Sequence, residues 1–223
     1  KPHPYLELGA PYSSASDPWR LREGVINRLI KAQEILKEFN TDFTLGIFDA
    51  WRPIKVQSFM VEHSINKECS FRNIDRDNKT QRTEFKKVVE DVSKFWAPPN
   101  IDPSSPPPHS TGGAIDLTFI TSKKHQVDMG GAIDHIGSIS NPNYYEEYSS
   151  GKKDSKQHIW HLRRSLLSRV MNSAGFAQHP FEWWHFSYGD QLWSWFSRQG
   201  NAIYGAVFDV SKDITFSLPS CVT

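Results

Sequence analysis

The sequence predicts an α+β fold: a single domain in which a small antiparallel sheet packs against several helices. Two observations point there. Long stretches carry apolar residues at helical spacing, while shorter β-branched and aromatic runs read as strands. No internal repeat and no linker divides the 223 residues, so residues 1–223 are expected to form one domain. Its motif-bearing core covers about 20–188, and residues 189–223 form an aromatic C-terminal extension.

Arg20 to Phe39 predicts an amphipathic helix with Leu21, Val25, Leu29, Leu36 and Phe39 near one face. Phe43 to Phe48 predicts a strand that ends in Asp49-Ala-Trp-Arg52-Pro53. Pro53 suits the first turn of a further helix, with Val56, Phe59, Met60 and Ile65 facing inward. Residues 70–80 are polar and predict a loop. Phe85, Val88, Val89, Val92 and Phe95 then mark another helix. Six prolines between Ala97 and Pro108 predict an extended surface segment that delivers His109. Ala114 to Ile120 predicts a strand with Asp116 and Thr118 on one face and Ile115, Leu117 and Phe119 on the other. Residues 121–154 read as loop. Gln157 to Ala174 predicts a helix built on Ile159, Leu162, Leu166, Leu167 and Val170, stopped by Gly175. Phe181 to Tyr188 reads as a strand, and the rest holds one short aromatic helix.

Composition excludes several classes. The net charge is +1 and the basic residues are scattered, so no nucleic-acid partner is indicated. No apolar run approaches the roughly 18 residues needed to span a bilayer. Cys69 and Cys221 are too few for a disulfide framework; they pair or stay free depending on compartment. The chain opens at Lys1, which a removed leader or a cloning boundary would each produce. A leader would imply the bacterial cell envelope or periplasm, its absence the cytoplasm. The aromatics cluster from Trp183 to Phe196 and are expected to build core, with one or two walling a small-ligand pocket.

Two stretches carry the chemistry: His109-Ser-Thr-Gly-Gly-Ala-Ile-Asp116 and Glu182-Trp-Trp-His185. Together they offer two imidazoles, one carboxylate ligand and one spare carboxylate. That is the inventory of a catalytic zinc site, with three protein ligands, an open fourth position and a nearby base. A structural zinc site would more often be rich in thiolate. Gly112-Gly113 argues against a helix between His109 and Asp116, so a loop-borne His is expected to fold over a glycine turn onto the strand. On a strand, Glu182 and His185 would point to opposite faces, so Glu182 is expected at the bend entering it. Taken singly, each stretch is a weak signal.

Together they resemble the signature of the zinc D-alanyl-D-alanine dipeptidases of the vancomycin-resistance type. That family belongs to a superfamily with peptidoglycan D,D- and L,D-carboxypeptidases and the metal-binding hedgehog domain. Asp49-Ala-Trp51-Arg52-Pro53 and Met129-Gly-Gly-Ala-Ile133-Asp134 match two further elements in order. The resemblance implies one zinc per chain on His109, Asp116 and His185, with Glu182 as general base. It implies Arg52 as oxyanion stabiliser, Asp134 as the group binding the dipeptide's ammonium, and a small D,D-dipeptide or peptidoglycan fragment as substrate. Trp51 and Trp184 would bound the pocket. The family's serine two residues before the first histidine is Pro107 here and its arginine is Thr111, so carboxylate recognition is expected to shift to Ser110 or Thr111. Trp51 and Ile133 stand where the family has Tyr and Phe. Two alternatives stay open: a carboxypeptidase trimming peptidoglycan stems, and a zinc-containing binding domain without turnover.

Overall fold

A computed structural model describes residues 3–13, 17–39 and 42–207, together with the strand backbone of 216–217. Its centre is an antiparallel sheet of β2 (Phe43–Asp49), β3 (Ala114–Thr121), β5 (His185–Ser187) and β4 (Ala177–Gln178), in the order β2-β3-β5-β4. A two-residue strand β1 (Arg20–Leu21) pairs with β6 (Phe216–Ser217) beside it. The helices are α1 (Pro4–Glu7), α2 (Glu23–Glu38), α3 (Ile54–Phe71), α4 (Arg82–Ser93), α5 (Lys156–Ser173) and α6 (Gln191–Phe196). This is the α+β arrangement that the sequence predicts.

One face of the sheet is apolar because Ile115, Leu117 and Phe119 alternate outward from β3. That face packs on Val25, Leu29 and Leu36 of α2 and on Leu167, Val170 and Met171 of α5, all essentially inaccessible to water. A second apolar cluster joins α3, α4 and the N-terminal segment through Tyr5, Val56, Met60, Val88, Val92 and Trp96. The polar face of the sheet looks toward this cluster, and the candidate site lies between the two.

Register explains what that face presents. Asp116 of β3 is the partner of His185 on β5 and of Asp49 on β2. Three neighbouring strands therefore set three chemically active side chains in one row. Asp49 joins the row only through a bulge: Ile47 pairs with Leu117, yet Asp49 rather than Phe48 pairs with Asp116. The extra residue turns the Asp49 side chain onto the face of Asp116.

Several boundaries differ from expectation. α2 starts at Glu23 because Arg20–Leu21 pair with β6, and the backbone N–H of Arg22 donates to Gly112 O at 3.0 Å. β5 holds only three residues. Pro180 and Phe181 form a turn, and the N–H of Trp183 goes to Ser140 O at 2.9 Å instead of a strand neighbour. Phe39, Val89 and Leu162 point to solvent where the helical pattern placed them inward. No helix among the described residues is long and apolar enough to cross a membrane. Cys69 is buried and unpaired among the described residues, and Cys221 lies outside them.

Candidate metal centre and cleft

His109 arrives at the end of the proline-rich segment, in a 3-10 turn over Pro108–Thr111. Gly112 closes that turn at φ 70, a left-handed conformation that glycine adopts without a Cβ clash. Two bonds fasten the turn to the segment after β2: Arg52 N–H to His109 O at 3.3 Å, and Ser110 Oγ to Arg52 O at 2.8 Å. His109 is thereby held over the strand row.

His109 Nδ1 lies 2.6 Å from Ala50 O, which can only accept, so this nitrogen carries a proton and Nε2 is the one a metal would take. Nε2 sits 3.3 Å from Asp116 Oδ2 and 3.2 Å from His185 Nδ1, and His185 Nδ1 is 3.0 Å from Asp116 Oδ1. His185 Nε2 is 3.3 Å from Ser187 Oγ, a partner for its proton that frees Nδ1 as a donor of electrons. The geometry can be tested against zinc. Four ligands at about 2.0–2.1 Å in a tetrahedron stand about 3.3–3.4 Å apart. The two nitrogens stand 3.2 Å apart, close to that edge, and each lies 3.0–3.3 Å from one or the other oxygen of Asp116. Burial opposes ionisation of Asp116, but His109 and His185 outweigh it and hold its carboxyl far below the usual range. An anionic oxygen and two imidazole nitrogens, once a metal displaces any proton between them, are the donor set that fits a zinc ion.

Glu182 is buried in the turn before β5, as its spacing from His185 suggested. Its Oε2 stands 3.7 Å from His185 Nδ1 and its Oε1 3.6 Å from His179 Nδ1. Burial, then the charges of Asp116 and Asp134, push its pKa well above the ordinary glutamate value. His179 is held neutral, pushed down to about 3 by burial and by His185.

Arg52 is buried at the opposite wall. Asp49 Oδ2 accepts from its Nε at 3.0 Å and its Nη2 at 2.5 Å, and Gln57 Oε1 accepts from Nη1 at 2.8 Å. Its Nη2 also lies 3.5 Å from Asp116 Oδ2. Asp49 is in turn 2.9 Å from His3 Nε2. Arg52 stays cationic: burial lowers its pKa, but Asp49 and its other neighbours more than reverse this. Asp134 closes the far end at φ 62, a backbone conformation uncommon outside glycine. Its Oδ2 accepts from Tyr5 Oη at 3.0 Å, and burial followed by the charge of Asp116 pushes its pKa up to about 7.

These groups line one cavity of about 200 Å³. Sites for drug-sized ligands run to about 300–1,000 Å³, so this one suits a small molecule. Arg52, His109, Asp116, Asp134, Glu182, Trp184 and His185 all reach its wall. Trp51, Ser110 and Thr111 do not. Trp51 is buried, its backbone N–H donating to Pro18 O at 3.0 Å. Ser110 and Thr111 are fully buried, and their hydroxyls donate to the carbonyls of Arg52 and Pro108. The expected shift of carboxylate recognition to Ser110 or Thr111 is therefore corrected: both hydroxyls are spent on building the turn that holds His109. His3, Tyr5, Gln57, Trp96 and His179 surround the site without having been anticipated. Only His179 left a trace in the sequence, three residues before Glu182.

The profile of the peptidase family described as D-ala-D-ala dipeptidase matches residues 1–203. The chain belongs to that family. It is 41% identical over 215 residues to a D-alanyl-D-alanine dipeptidase of Synechocystis sp., covering 93% of this chain and 86% of the relative. The D-alanyl-D-alanine dipeptidase of Enterococcus faecium is 28% identical over 170 residues, 73% of this chain and 70% of the relative. That of Enterococcus faecalis is 26% identical over 155 residues, 67% and 64%. Family membership spans the N-terminal segment too, so the residues that bring His3 and Tyr5 to the dipeptidase cleft lie inside the match.

Proposed function

We propose that this chain is a zinc peptidase that hydrolyses D-Ala-D-Ala to free D-alanine. The convergence of His109, Asp116 and His185 on one point, with the unliganded Glu182 facing it, is the observation that carries the reading. Zinc held by those three residues would act as a Lewis acid and lower the pKa of water toward about 7. Glu182 takes the proton of the attacking water and hands it to the leaving amine. Arg52 presents a fixed cation to the oxygen of the tetrahedral centre; Asp49 and Gln57 hold it in place, so little reorganisation is needed. Asp134, ionised, pairs with the free ammonium of a dipeptide, and Tyr5 orients its carboxylate. Trp184 contributes an apolar stretch of wall.

A negative group at the closed end favours a substrate whose amino terminus is free. An acylated stem peptide would leave Asp134 desolvated and unpaired, which a specific site penalises. Hydrolysis of D-Ala-D-Ala and of an N-acylated D-Ala-D-Ala peptide, compared by kcat/KM, tests this. The expected result is strong preference for the free dipeptide. Preference for the acylated peptide would indicate a carboxypeptidase, and zinc uptake without turnover of either would indicate a binding domain.

A further inference from the structure

α5 buries a charge on the helix whose apolar spacing put Leu162 inside. Arg164 is 2% exposed, while Leu162, two residues earlier, is 52% exposed. The guanidinium donates from Nε to Met129 O at 2.8 Å, and from Nη1 to Ile139 O at 2.8 Å and Asn141 O at 2.9 Å. It lies 4.8 Å from the ring centre of Tyr145 and 5.3 Å from that of Trp183. No carboxylate among the described residues contributes to its ionisation, and burial pushes its pKa down to about 10. Its Nη2 is buried without a partner.

A buried cation without an acid is destabilising, so a chain that keeps one needs the bonds it makes. All three acceptors belong to the segment from Met129 to Asn141, two near one end and one at the other, and Asp134 lies between them. Asp134 sits at φ 62, a conformation that persists only where the surroundings over-determine it. The segment is shaped to meet the helix: a Cβ on Gly131 would stand 2.9 Å from Arg164 Nη2, and one on Gly130 would stand 2.6 Å from the Trp160 ring.

We infer that Arg164 is a positioning residue for Asp134, clamping both ends of segment 129–141 from behind and so fixing the carboxylate that receives the substrate's ammonium. The inference rests on the dipeptidase reading. Glu182 shares part of this clamp, since the Trp183 N–H donates to Ser140 O at 2.9 Å and the guanidinium lies over the Trp183 ring, but it does not rest on it alone. Its turn has separate anchors in Gln178 Nε2 to Trp183 O at 2.9 Å, Leu117 N–H to Trp184 O at 3.0 Å and His179 N–H to His185 O at 3.0 Å. Loss of Arg164 therefore disturbs binding before it disturbs chemistry.

The test uses the zinc-loaded full chain with free and N-acetylated D-Ala-D-Ala. Arg164→Met should raise KM for the free dipeptide by roughly 10–10²-fold, the scale of a 1 Å misplacement, while kcat falls far less. Preference over the acetylated dipeptide narrows by a similar factor. Arg164→Lys should recover part of the loss, because an ammonium can still serve one carbonyl. Gly131→Ala, which crowds Nη2 without removing the charge, should move KM in the same direction. Hydrogen exchange across 129–141 should quicken in each variant.

A folded Arg164→Met protein with unchanged KM and preference overturns the inference, even if exchange quickens; so does a loss confined to kcat. If Arg164→Met does not fold, Gly131→Ala decides: a raised KM supports the clamp and an unchanged KM overturns it. Wild-type protein that prefers the acetylated dipeptide, or cleaves neither, defeats the dipeptidase reading itself and this inference with it.

Discussion

Replacing Asp49 by Asn keeps the shape of the side chain and removes the charge that holds Arg52. Asp49 is fully buried, Arg52 nearly so, and two of the guanidinium nitrogens bond one carboxylate oxygen. The other oxygen faces His3 at 2.9 Å. Breaking a buried pair from one side costs about 3–5 kcal/mol, because the surviving charge stays desolvated. The lower end fits here, since Arg52 retains Gln57 and has Asp116 within 3.5 Å. At about 2–4 °C per kcal/mol for a chain of this size, a loss of about 3 kcal/mol should lower Tm by roughly 6–12 °C. Calorimetry of the metal-free wild-type and Asp49→Asn proteins measures it. The difference also has a pH signature. Burial resists ionisation of Asp49, but Arg52, His109 and His3 pull its pKa below the ordinary value. Its contribution is thus complete above the unfolded value of about 4 and lost as pH falls through the lower folded value. The gap between the two proteins should be flat through neutral pH and close in acid. A variant that melts with the wild type at pH 7 would refute the claim that Asp49 holds Arg52 in place.

Two further predictions concern the cleft. Glu182→Gln should bind zinc as well as the wild type and lose on the order of 10²-fold or more in turnover; full activity would remove Glu182 from the proton transfer. The Asp134 carboxyl should titrate near 7 in the metal-free protein, read by carbon NMR, and zinc loading should lower that midpoint by favouring the anion. Because its folded pKa is raised, Asp134 favours the folded state most below about pH 4 and progressively less up to about 7. A midpoint near 4 without metal would contradict the desolvated setting.

The sequence makes the candidate metal ligands legible because they lie in two short segments whose spacing reflects chemistry. His109, Asp116, Glu182 and His185 could be named because two short segments together match the dipeptidase signature, each being a weak signal alone. The helices α2, α3, α4 and α5 are legible because apolar periodicity records a buried face. What sequence does not record is contact between distant segments. Tyr5 meets Asp134 across 129 residues, and His3 meets Asp49 only because the N-terminal segment folds over the cleft. The bulge at Phe48 has no signature in the run Phe43 to Phe48. Arg164 inverts the usual rule, for a charge is inside where hydropathy places Leu162. Ser110 and Thr111 stand beside His109 in sequence, yet their hydroxyls donate to backbone carbonyls away from the cleft.

Zinc content after dialysis against a trace of the metal, measured on the wild type and on His109→Ala, bears most directly on the central claim. A single zinc ion per wild-type chain and almost none in the variant is the predicted result. A wild type that takes up no zinc, or a variant that keeps its full complement, would contradict it.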